Sequence, residues 1–352
     1  MKKLHISFLA CFLLLFAACG GGGTNNATPT VQPVNGFGTM QNHTHSMVIL
    51  PDAQQTIVLA THYGIFRSQN HGASWQETAA GPNQLMQGLM TWWLSYNPLN
   101  PQRLYVLTLP AVTPHAGTLG LYTSGDGGKT WQMSIPYSSL PTGTVYFAHA
   151  GNEDPNEVYI YQSGLGANGL KVSHDNGAHF TQAGSPLPFG SLLGMLPLPN
   201  KPGHILVFGN EGAALTGDGG QHWQVVKSLQ DSIFEVTTPG PNQPIYAKGA
   251  DGIYVSRDNG QSFTLATQNT YAALTASPQQ PDTIYGKTAL AIYRSTDAGK
   301  TWNKLPAIKG NLEILIADPN NPNQLYLALS YPSATYHFAS DAWKSLTPPA
   351  AS

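Results

Sequence analysis

Residues 295–302 read Ser-Thr-Asp-Ala-Gly-Lys-Thr-Trp and follow the strand-like run Ala-Ile-Tyr-Arg. The carboxylate of Asp297 is placed to fold back onto backbone N–H groups and onto the hydroxyl of Ser295, as short polar side chains do in turns. Gly299 supplies the positive φ that such a tight reversal needs. Trp302 then begins the next strand with a large ring suited to burial. The segment therefore predicts a β-hairpin with a hydrophobic anchor.

The same pattern occurs five more times along the chain. The copies lie at residues 68–75, 123–131, 173–180, 216–223 and 256–263, and a shortened seventh copy lies at 340–343. The acid position is filled, in chain order, by Asn70, Asp126, Asp175, Asp218, Asp258 and Asp297. We interpret these residues as structural, because the pattern braces a turn through local hydrogen bonds.

A second repeat can be counted independently of these turns. In each copy, a Pro or Asn follows an apolar run, and the residue seven positions later is apolar or Tyr and lies within the next apolar run. The Pro or Asn residues that mark the seven copies are Pro51, Pro98, Asn152, Pro199, Pro239, Pro278 and Pro319. Repeats of this length are typical of β-propeller blades. Each unit offers four short strands and no capped helical period. Because such sheets bury both faces only by stacking around an axis, the sequence predicts an all-β, seven-bladed β-propeller of four-stranded antiparallel blades.

The turns resemble the Asp-box repeat, also called the bacterial neuraminidase (BNR, sialidase-like) repeat, whose pattern is S-x-D-x-G-x-T-W. The resemblance covers nearly the whole chain after its N-terminal segment and implies Asp-box hairpins in a propeller. The stretches His-Thr-His-Ser-Met and Ala-Thr-His-Tyr-Gly are similar to a group of bacterial glycosyl-hydrolase-like propellers. The segment Asp-Pro-Asn-Asn-Pro-Asn-Gln-Leu-Tyr resembles both sortilin-type and xyloglucan-hydrolase propellers and the photosystem II stability/assembly-factor propellers.

Each of these families has characteristic functional residues, which we compare with the residues of this chain. Sialidases hold the substrate carboxylate with three arginines and carry an Arg-Ile-Pro motif. This chain lacks the motif, and its four arginines lie in or beside boxes and first turns: Arg67, Arg103, Arg257 and Arg294. Xyloglucan hydrolases pair two propellers and use pairs of Asp, whereas this length allows one propeller. Assembly factors bind partners through a basic patch, which four scattered arginines do not reproduce.

The first 34 residues are predicted to be a targeting segment rather than part of the fold. Lys2 and Lys3 precede an apolar run, and small residues precede Cys19. This resembles a bacterial lipoprotein cleavage box and implies a signal peptide at 1–18, lipidation of Cys19, a flexible tether at 19–34 and a propeller at 35–352. The alternative is an ordinary secretory signal. Since Cys11 lies inside the signal, no disulfide is expected.

Composition narrows the possible partners. Without Lys2 and Lys3 the chain has 14 Lys and Arg against 18 Asp and Glu, a net charge of −4. No basic cluster occurs, which argues against nucleic acid. We expect a monomer in the bacterial cell envelope, held through its N-terminal lipid on the extracytoplasmic side of a membrane. No cofactor or metal is expected.

The two faces of the predicted ring separate the acids. Turns between first and second strands share a face with the Asp boxes, whereas second-to-third turns and blade crossovers face the opposite mouth. The acids expected at that mouth are Glu211, Asp231, Glu235, Asp251 and Glu313. Glu211, Asp231 and Asp251 come from adjacent blades and are the candidate catalytic carboxylates of a glycoside hydrolase, which needs two. The alternative is that Glu211 and Asp251 form turns with the glycines that follow them, and that Asp231 is a solvated loop residue.

A histidine cluster is the second candidate site. His43 and His45 alternate on one side of the first strand of blade one, and His62 ends the neighbouring strand beside Tyr63. Three imidazoles can hold a metal. Because no nearby Asp or Cys completes the set, the sequence disfavours a metal site. The three histidines and Tyr63 are assigned to ligand binding; the alternatives are that the histidines are hydrogen-bonded residues of the channel, or that His62 begins a turn with Tyr63 and Gly64.

Aromatic residues and long loops provide a third indication. Trp92 and Trp93 lie outside the boxes and are expected to begin the first strand of blade two, where they pack between blades or form a stacking platform. Long insertions follow in blade two, with His115, and in blade three. With Glu313 these residues complete the candidate ligand site. The sequence therefore favours a non-catalytic propeller that binds a glycan or a protein at the mouth opposite the boxes; the alternatives are a glycoside hydrolase and an envelope assembly scaffold.

Overall fold

Short four-stranded antiparallel sheets account for nearly all regular structure, as the repeats predict. The computed structural model describes residues 42–346, except 82, 279, 309–310, 332 and 340–341. The predicted signal and tether lie outside the described residues, as does the start of the shortened box at 340–343. Two 3₁₀ segments, Tyr137–Ser139 and Ser163–Asn168, are described. Within the described part of the chain, no helix is long and apolar enough to cross a membrane.

The first four blades follow one another along the chain. Blade one contains β1 to β4: Thr44–Ile49, Ile57–Thr61, Gly64–Ser68 and Gln76–Ala79. Blade two contains β5 to β8: Leu89–Asn97, Asn100–Pro110, Gly120–Ser124 and Gln132–Pro136. Blade three contains β9 to β12: Val145–Ala150, Val158–Gln162, Leu170–Ser173 and Thr181–Gln182. Blade four contains β13 to β16: Gly194–Pro197, Ile205–Gly209, Gly212–Thr216 and Gln224–Val225.

The last three blades repeat the same order. Blade five contains β17 to β20: Ile233–Thr237, Ile245–Gly249, Ile253–Ser256 and Thr264–Thr267. Blade six contains β21 to β24: Ala273–Ala276, Ile284–Lys287, Ile292–Ser295 and Asn303–Lys304. Blade seven contains β25 to β28: Asn311–Ala317, Leu325–Tyr331, Ser333–Ala339 and Ala342–Ser345. Strands in every blade pair in chain order, so the predicted seven-bladed propeller is confirmed.

The ring closes between blade seven and blade one without an exchanged strand. All four strands of blade seven come from consecutive segments of the chain, and β25 packs beside β1. Gln55 Nε2 donates to Asp318 Oδ2 at 3.1 Å across this junction. Trp75 Nε1 donates to the carbonyl oxygen of Leu346 at 3.1 Å. Side-chain packing and hydrogen bonds therefore close the ring, a point that the sequence left open.

The second strand of each blade carries the core. The position seven residues after each Pro or Asn landmark is buried in every blade, at 0–2% exposure: Val58, Tyr105, Tyr159, Leu206, Tyr246, Tyr285 and Tyr326. These strands lie between other strands of their own sheet and between neighbouring blades. Both of their faces are therefore covered, which explains their continuous apolar sequences.

One box aromatic lies at each junction between blades. Trp131 of blade two packs with the cluster shared by blades one and two, and Trp223 of blade four packs with the cluster of blades three and four. The same position in the other blades is occupied by Phe180, Phe263, Trp302, Trp343 and Trp75. Each aromatic ring packs towards the preceding blade, so the boxes connect the blades as well as bracing turns.

The box turns have the hydrogen bonds that the sequence predicts. Ser295 Oγ donates to Asp297 Oδ1 and accepts from the Gly299 N–H, both at 2.8 Å. The hydroxyl of Thr301 donates to Asp297 Oδ2 at 2.6 Å, and its N–H donates to Oδ1 at 2.9 Å. These bonds, led by the one from the Thr301 side chain, lower the pKa of Asp297 to about 2. Two of these bonds recur in the other five boxes. The Ser or Thr hydroxyl donates to the Asp or Asn side chain, and the N–H of the box glycine donates to the same hydroxyl.

Main-chain bonds also confirm how the two faces of the ring are divided. The Gly219 N–H of one box donates to Gly203 O in the first-to-second turn of the same blade at 2.9 Å. Ala298 N donates to Asp282 O in the same way, also at 2.9 Å. The boxes and the first turns therefore share a face, which we call the Asp-box face. The second-to-third turns and the crossovers face the other mouth.

Replacing Ser295 by Ala is expected to destabilise the fold. The substitution removes the acceptor of the buried Gly299 N–H and a donor to Asp297, and an unsatisfied buried donor costs about 1–3 kcal/mol. Urea unfolding measures this loss in the free energy of unfolding. Thr296→Ala is the matched control, because this neighbour is exposed and exposed substitutions change stability by about 0.5 kcal/mol or less. Equal effects of the two substitutions would contradict the structural role of the box hydroxyl.

Candidate functional site

Two of the predicted acids meet at the mouth opposite the Asp boxes. Asp231 lies in the crossover into blade five, and Asp251 lies in the turn between β18 and β19. The Ala250 N–H donates to Ser232 O at 3.0 Å, which places the two segments side by side. The carboxyl groups of Asp231 and Asp251 share a hydrogen bond. This bond, together with charge repulsion from Asp231, raises the pKa of Asp251.

Glu211 lies next to this pair but is held differently. It is in the turn between β14 and β15, where Ser232 Oγ donates to Asn210 O at 3.2 Å. The carboxylate of Glu211 accepts from the Gly190 N–H at 2.9 Å. The three predicted acids therefore follow one arc of the mouth across blades four and five. Asp231 and Asp251 are in direct contact, and Glu211 is directed towards the loop before blade four.

Two aromatic residues flank the Asp pair. Phe234 lies three residues after Asp231, within β17, and is 45% exposed, with Lys248 Nζ 5.9 Å from the centroid of its ring. The pKa of Tyr254 is raised first by burial and then by the charges of Asp251 and Asp231, which places its hydroxyl near both. We call Asp231, Phe234, Asp251 and Tyr254 the blade-five rim. It combines carboxyl oxygens with an exposed ring within one blade.

Glu235 has a structural role between blades five and six. Its carboxylate is 3.4 Å from Lys248 Nζ and accepts from the Leu274 N–H at 2.9 Å. Lys248 Nζ in turn donates to Ala272 O at 2.6 Å. Burial raises the pKa of Glu235, while Lys248 opposes that shift. The Glu235 carboxylate therefore links β17 of blade five to β21 of blade six.

The predicted histidine cluster forms at the start of β1. The ligand atoms of His43, His45 and His62 all lie within 4.8 Å of one another. Burial lowers the pKa of His45 to about 3 and that of His62 to about 4, and repulsion from His43 adds to both shifts. The ring of Tyr63 meets the His62 ring edge-on, with centroids 4.6 Å apart. The cluster therefore brings at least two neutral imidazoles together beside a tyrosine.

A cavity of about 570 Å³ lies on the axis of the ring. Its wall includes His45, Trp92, Trp93 and His149. Residues of the first-to-second turns, such as Pro98, also line it, so the cavity lies in the half of the channel nearer the Asp-box face. The sequence placed the ligand sites at the opposite mouth and gave channel-lining histidines as an alternative; His45 does line this space.

The structure corrects the position of the tryptophan pair. Trp92 and Trp93 lie in the middle of β5, which begins at Leu89, and a register shift occurs between Thr91 and Trp93. Both side chains are partly buried. Trp93 packs near Phe147, with ring centroids 5.9 Å apart, and both tryptophans contact the hydrophobic cluster between blades two and three. Their role in packing is therefore established, and they also form part of the axial cavity wall.

The remaining predicted residues lie apart from the blade-five rim. His115 is half-buried in the long insertion of blade two, where its Nδ1 is 2.7 Å from Gly117 O. The insertion folds back onto the segment before β5, because the Gly117 N–H donates to Gln87 O at 2.9 Å. Glu313 lies within β25, and its side chain falls outside the described part.

Sequence analysis missed three residues near these sites. His149 in β9 lines the axial cavity, and its ring lies 6.3 Å from that of Trp93. Phe234 and Tyr254 flank the Asp pair. His149 lies in β9, the first and innermost strand of blade three. The position of this strand could be read from the sequence repeat. The exposure of the Phe234 side chain could not be predicted from the sequence, because it depends on the register shift between Ile233 and Glu235.

Comparison with known proteins identifies the box turns. Residues 293–304, which include the turn from Ser295 to Trp302, match the family model of the BNR/Asp-box repeat. The chain is similar to a probable oligoxyloglucan-reducing end-specific xyloglucanase of Neosartorya fischeri, with 26% identity over 235 residues. That alignment covers 64% of this chain and 24% of the relative. The chain therefore spans about a quarter of that relative.

Solved structures support the same fold. The GH74 enzyme of Niastella koreensis has a TM-score of 0.68 and 17% identity, over 90% of this chain and 55% of that one. YCF48 bound to a D1 peptide has a TM-score of 0.55 and 13% identity, over 80% of this chain and 92% of that one. The protein is a seven-bladed propeller with Asp-box turns, and its fold is like that of the Niastella koreensis GH74 enzyme and of YCF48.

His149→Gln is expected to reduce the pH dependence of folding stability. Burial lowers the pKa of His149 to about 4, compared with about 6.5 in an unfolded chain. The unfolded state binds more protons between these values, so stability falls as the pH drops from 6.5 to 4. Removing the imidazole takes up to about 1.4 kcal/mol per pH unit from that slope. Urea unfolding across this range measures the slope.

The comparison at pH 8 is the internal control for this experiment. Both states of the protein then carry a neutral imidazole, so any difference between the variant and the parent reports packing alone. An unchanged slope between pH 6.5 and 4 in the variant would show that the His149 imidazole is not desolvated and that its pKa is not lowered.

Proposed function

We propose that this protein is an envelope-anchored propeller that binds a glycan at the blade-five rim without cleaving it. The observation that carries the proposal is the hydrogen bond between the carboxyl groups of Asp231 and Asp251, in the blade whose first strand exposes Phe234. Sugars present hydroxyl groups along their edges and C–H groups on their faces. A carboxyl pair next to an open aromatic ring offers a partner to each of these.

The geometry of the pair argues for binding rather than hydrolysis. Two-carboxylate mechanisms need separations of about 5–5.5 Å for retention or about 6.5–9.5 Å for inversion. Asp231 and Asp251 are in hydrogen-bond contact, which is closer than either mechanism uses. Carboxyl oxygens so close together can accept hydrogen bonds from neighbouring hydroxyl groups of one sugar. It is therefore suited to hold a glycan in one orientation.

Likeness to xyloglucanases supports a glycan ligand. The chain aligns with part of one such enzyme and matches the fold of a GH74 enzyme over 90% of its own length. Because it spans only part of each relative, we propose retention of the sugar-facing surface rather than of the complete activity. Xyloglucan oligosaccharides are consequently the first ligands to test.

Glycoside hydrolysis is the second candidate, and one observation favours it. The raised pKa of Asp251 is the property of a general acid, and Glu211 lies on the next blade as a possible partner. In this alternative Asp251 donates the proton to the leaving oxygen, and Glu211 or Asp231 acts on the opposite side of the sugar. The two candidates predict different products, so one experiment separates them.

The site of attachment is part of the proposal. Cys19 follows the predicted signal peptide and is the expected site of lipidation, which holds the propeller on the extracytoplasmic side of a membrane. Residues 19–34 then act as a flexible tether between the lipid and the first blade. A tethered propeller reaches polymers at the cell surface without spanning the bilayer.

Substitution of the rim is expected to weaken glycan binding. Asp251→Asn and Phe234→Ala should each raise the Kd for xyloglucan oligosaccharides by about tenfold, which corresponds to about 1.4 kcal/mol. Titration calorimetry on the purified protein measures this change, after a glycan array has identified the bound sugar. Glu153→Gln is the matched control, since it removes one exposed charge on the Asp-box face and should leave Kd unchanged.

The same samples are assayed for release of reducing ends. Binding without release supports the proposal. Release that is lost in Asp231→Asn and in Glu211→Gln would establish the hydrolase instead. No glycan binding at all would overturn both candidates and favour an assembly scaffold with a protein partner. YCF48 bound to a D1 peptide has a similar fold and illustrates that alternative.

Cys19→Ser is expected to release the protein from the membrane. The substitution removes the thiol that would carry the lipid, so the protein should move from the membrane pellet to the soluble fraction and lose incorporation of labelled fatty acid. Cys11→Ser is the control, because this cysteine lies within the predicted signal peptide. Equal fractionation of both variants and the parent would contradict lipid anchoring.

A further inference from the structure

We propose that His43, His45 and His62 form a binding site for a divalent transition-metal ion, with Zn²⁺ as the expected occupant. The site lies on blade one and is separate from the blade-five rim. It is independent of the proposed glycan binding. The sequence alone favoured no metal, because no Asp or Cys lies nearby, and the geometry changes that interpretation.

The spacing of the nitrogens supports this proposal. All three ligand atoms lie within 4.8 Å of one another. His45 Nε2 and His62 Nδ1 are 3.5 Å apart, which is long for a hydrogen bond. Two nitrogens bound to one tetrahedral Zn²⁺ at about 2.0–2.1 Å are separated by about 3.3 Å. The separation of the His45 and His62 nitrogens is therefore close to that of two ligands on one ion, and the ligand nitrogen of His43 lies within 4.8 Å of both.

The backbone builds the cluster from two strands. The His62 N–H donates to His43 O at 3.0 Å, which fixes the end of β2 against the residue before β1. Thr44 pairs with Thr61 and Ser46 pairs with Ala60, so His45 is the extra residue of a β-bulge. A bulge redirects a side chain out of the regular alternation. The bulge thereby brings the His45 ring to the side on which His62 lies.

Three imidazole ligands favour a transition-metal ion of intermediate softness. Neutral imidazole binds Zn²⁺, Cu²⁺ and Ni²⁺ well, whereas Ca²⁺ and Mg²⁺ prefer oxygen ligands. Three histidines leave a fourth tetrahedral position for water or for a ligand. His45 also lines the axial cavity, so an ion held there would lie at the edge of that space. The Tyr63 ring packs against His62 and restricts its orientation.

Metal content tests the site directly. The purified full-length protein is stripped with a chelator, dialysed against Zn²⁺ and analysed by mass spectrometry for bound metal. We expect one ion per chain, and a loss of affinity of about 100-fold or more in His45→Ala and in His62→Ala. Replacement by Co²⁺ should give the visible absorption of a tetrahedral nitrogen-ligated ion, a signature that surface binding does not produce.

Controls separate loss of a ligand from loss of the fold. His174→Ala removes an exposed imidazole outside the cluster, and it should retain one ion per chain. His45→Gln keeps a polar side chain of similar length, and circular dichroism verifies that each variant is folded. Less than one fifth of an ion per chain in the parent would overturn the proposal. Binding that is equal in His45→Ala, His174→Ala and the parent would do the same.

Discussion

The packing of one aromatic ring from each Asp box towards the preceding blade is the contact on which the architecture depends. A single four-stranded sheet of this size exposes two apolar faces, so each blade is stable only when both neighbours cover it. The box turn holds the ring in place, because the hydroxyl of Ser295 fixes both the acid and the glycine of the reversal. The same unit therefore sets the turn, the junction and the division of the propeller into two faces. Strand connectivity therefore determines which charged residues lie on each face.

The sequence predicted the fold because its determinants are local and repeated. Turn hydrogen bonds reach four residues, and the buried positions recur at fixed distances from Pro or Asn, as Tyr105 and Tyr246 show. The candidate sites were only partly readable. Proximity of Asp231 to Asp251 followed from blade order, but their direct contact depends on how the crossover meets the turn. Trp92 and Trp93 were misplaced because β5 begins earlier than its aromatic pair. The axial cavity and the bulge at His45 arise from packing across blades, which no single segment encodes.

Three chemically different surfaces follow from this division. The Asp-box face is occupied by acids that serve turns, and their hydrogen bonds hold them in place. The opposite mouth carries the blade-five rim, where Asp231 also accepts from the Ser232 N–H at 2.7 Å and the Phe234 side chain is 45% exposed. The histidine cluster lies on blade one, at the edge of the axial cavity. A propeller of this kind presents separate sites on a rigid ring, because the inner strands that carry them are fixed by neighbouring blades.

Hydrogen–deuterium exchange of the protein with and without a saturating xyloglucan oligosaccharide tests the central claim, that the ligand is held at the mouth opposite the Asp boxes. If the ligand binds there, we expect slower exchange in the turns at residues 209–212 and 249–252 and in the crossover at 230–233, with no change at the box turns. Slower exchange centred on the box turns, or on the first-to-second turns around the axial cavity, would contradict it.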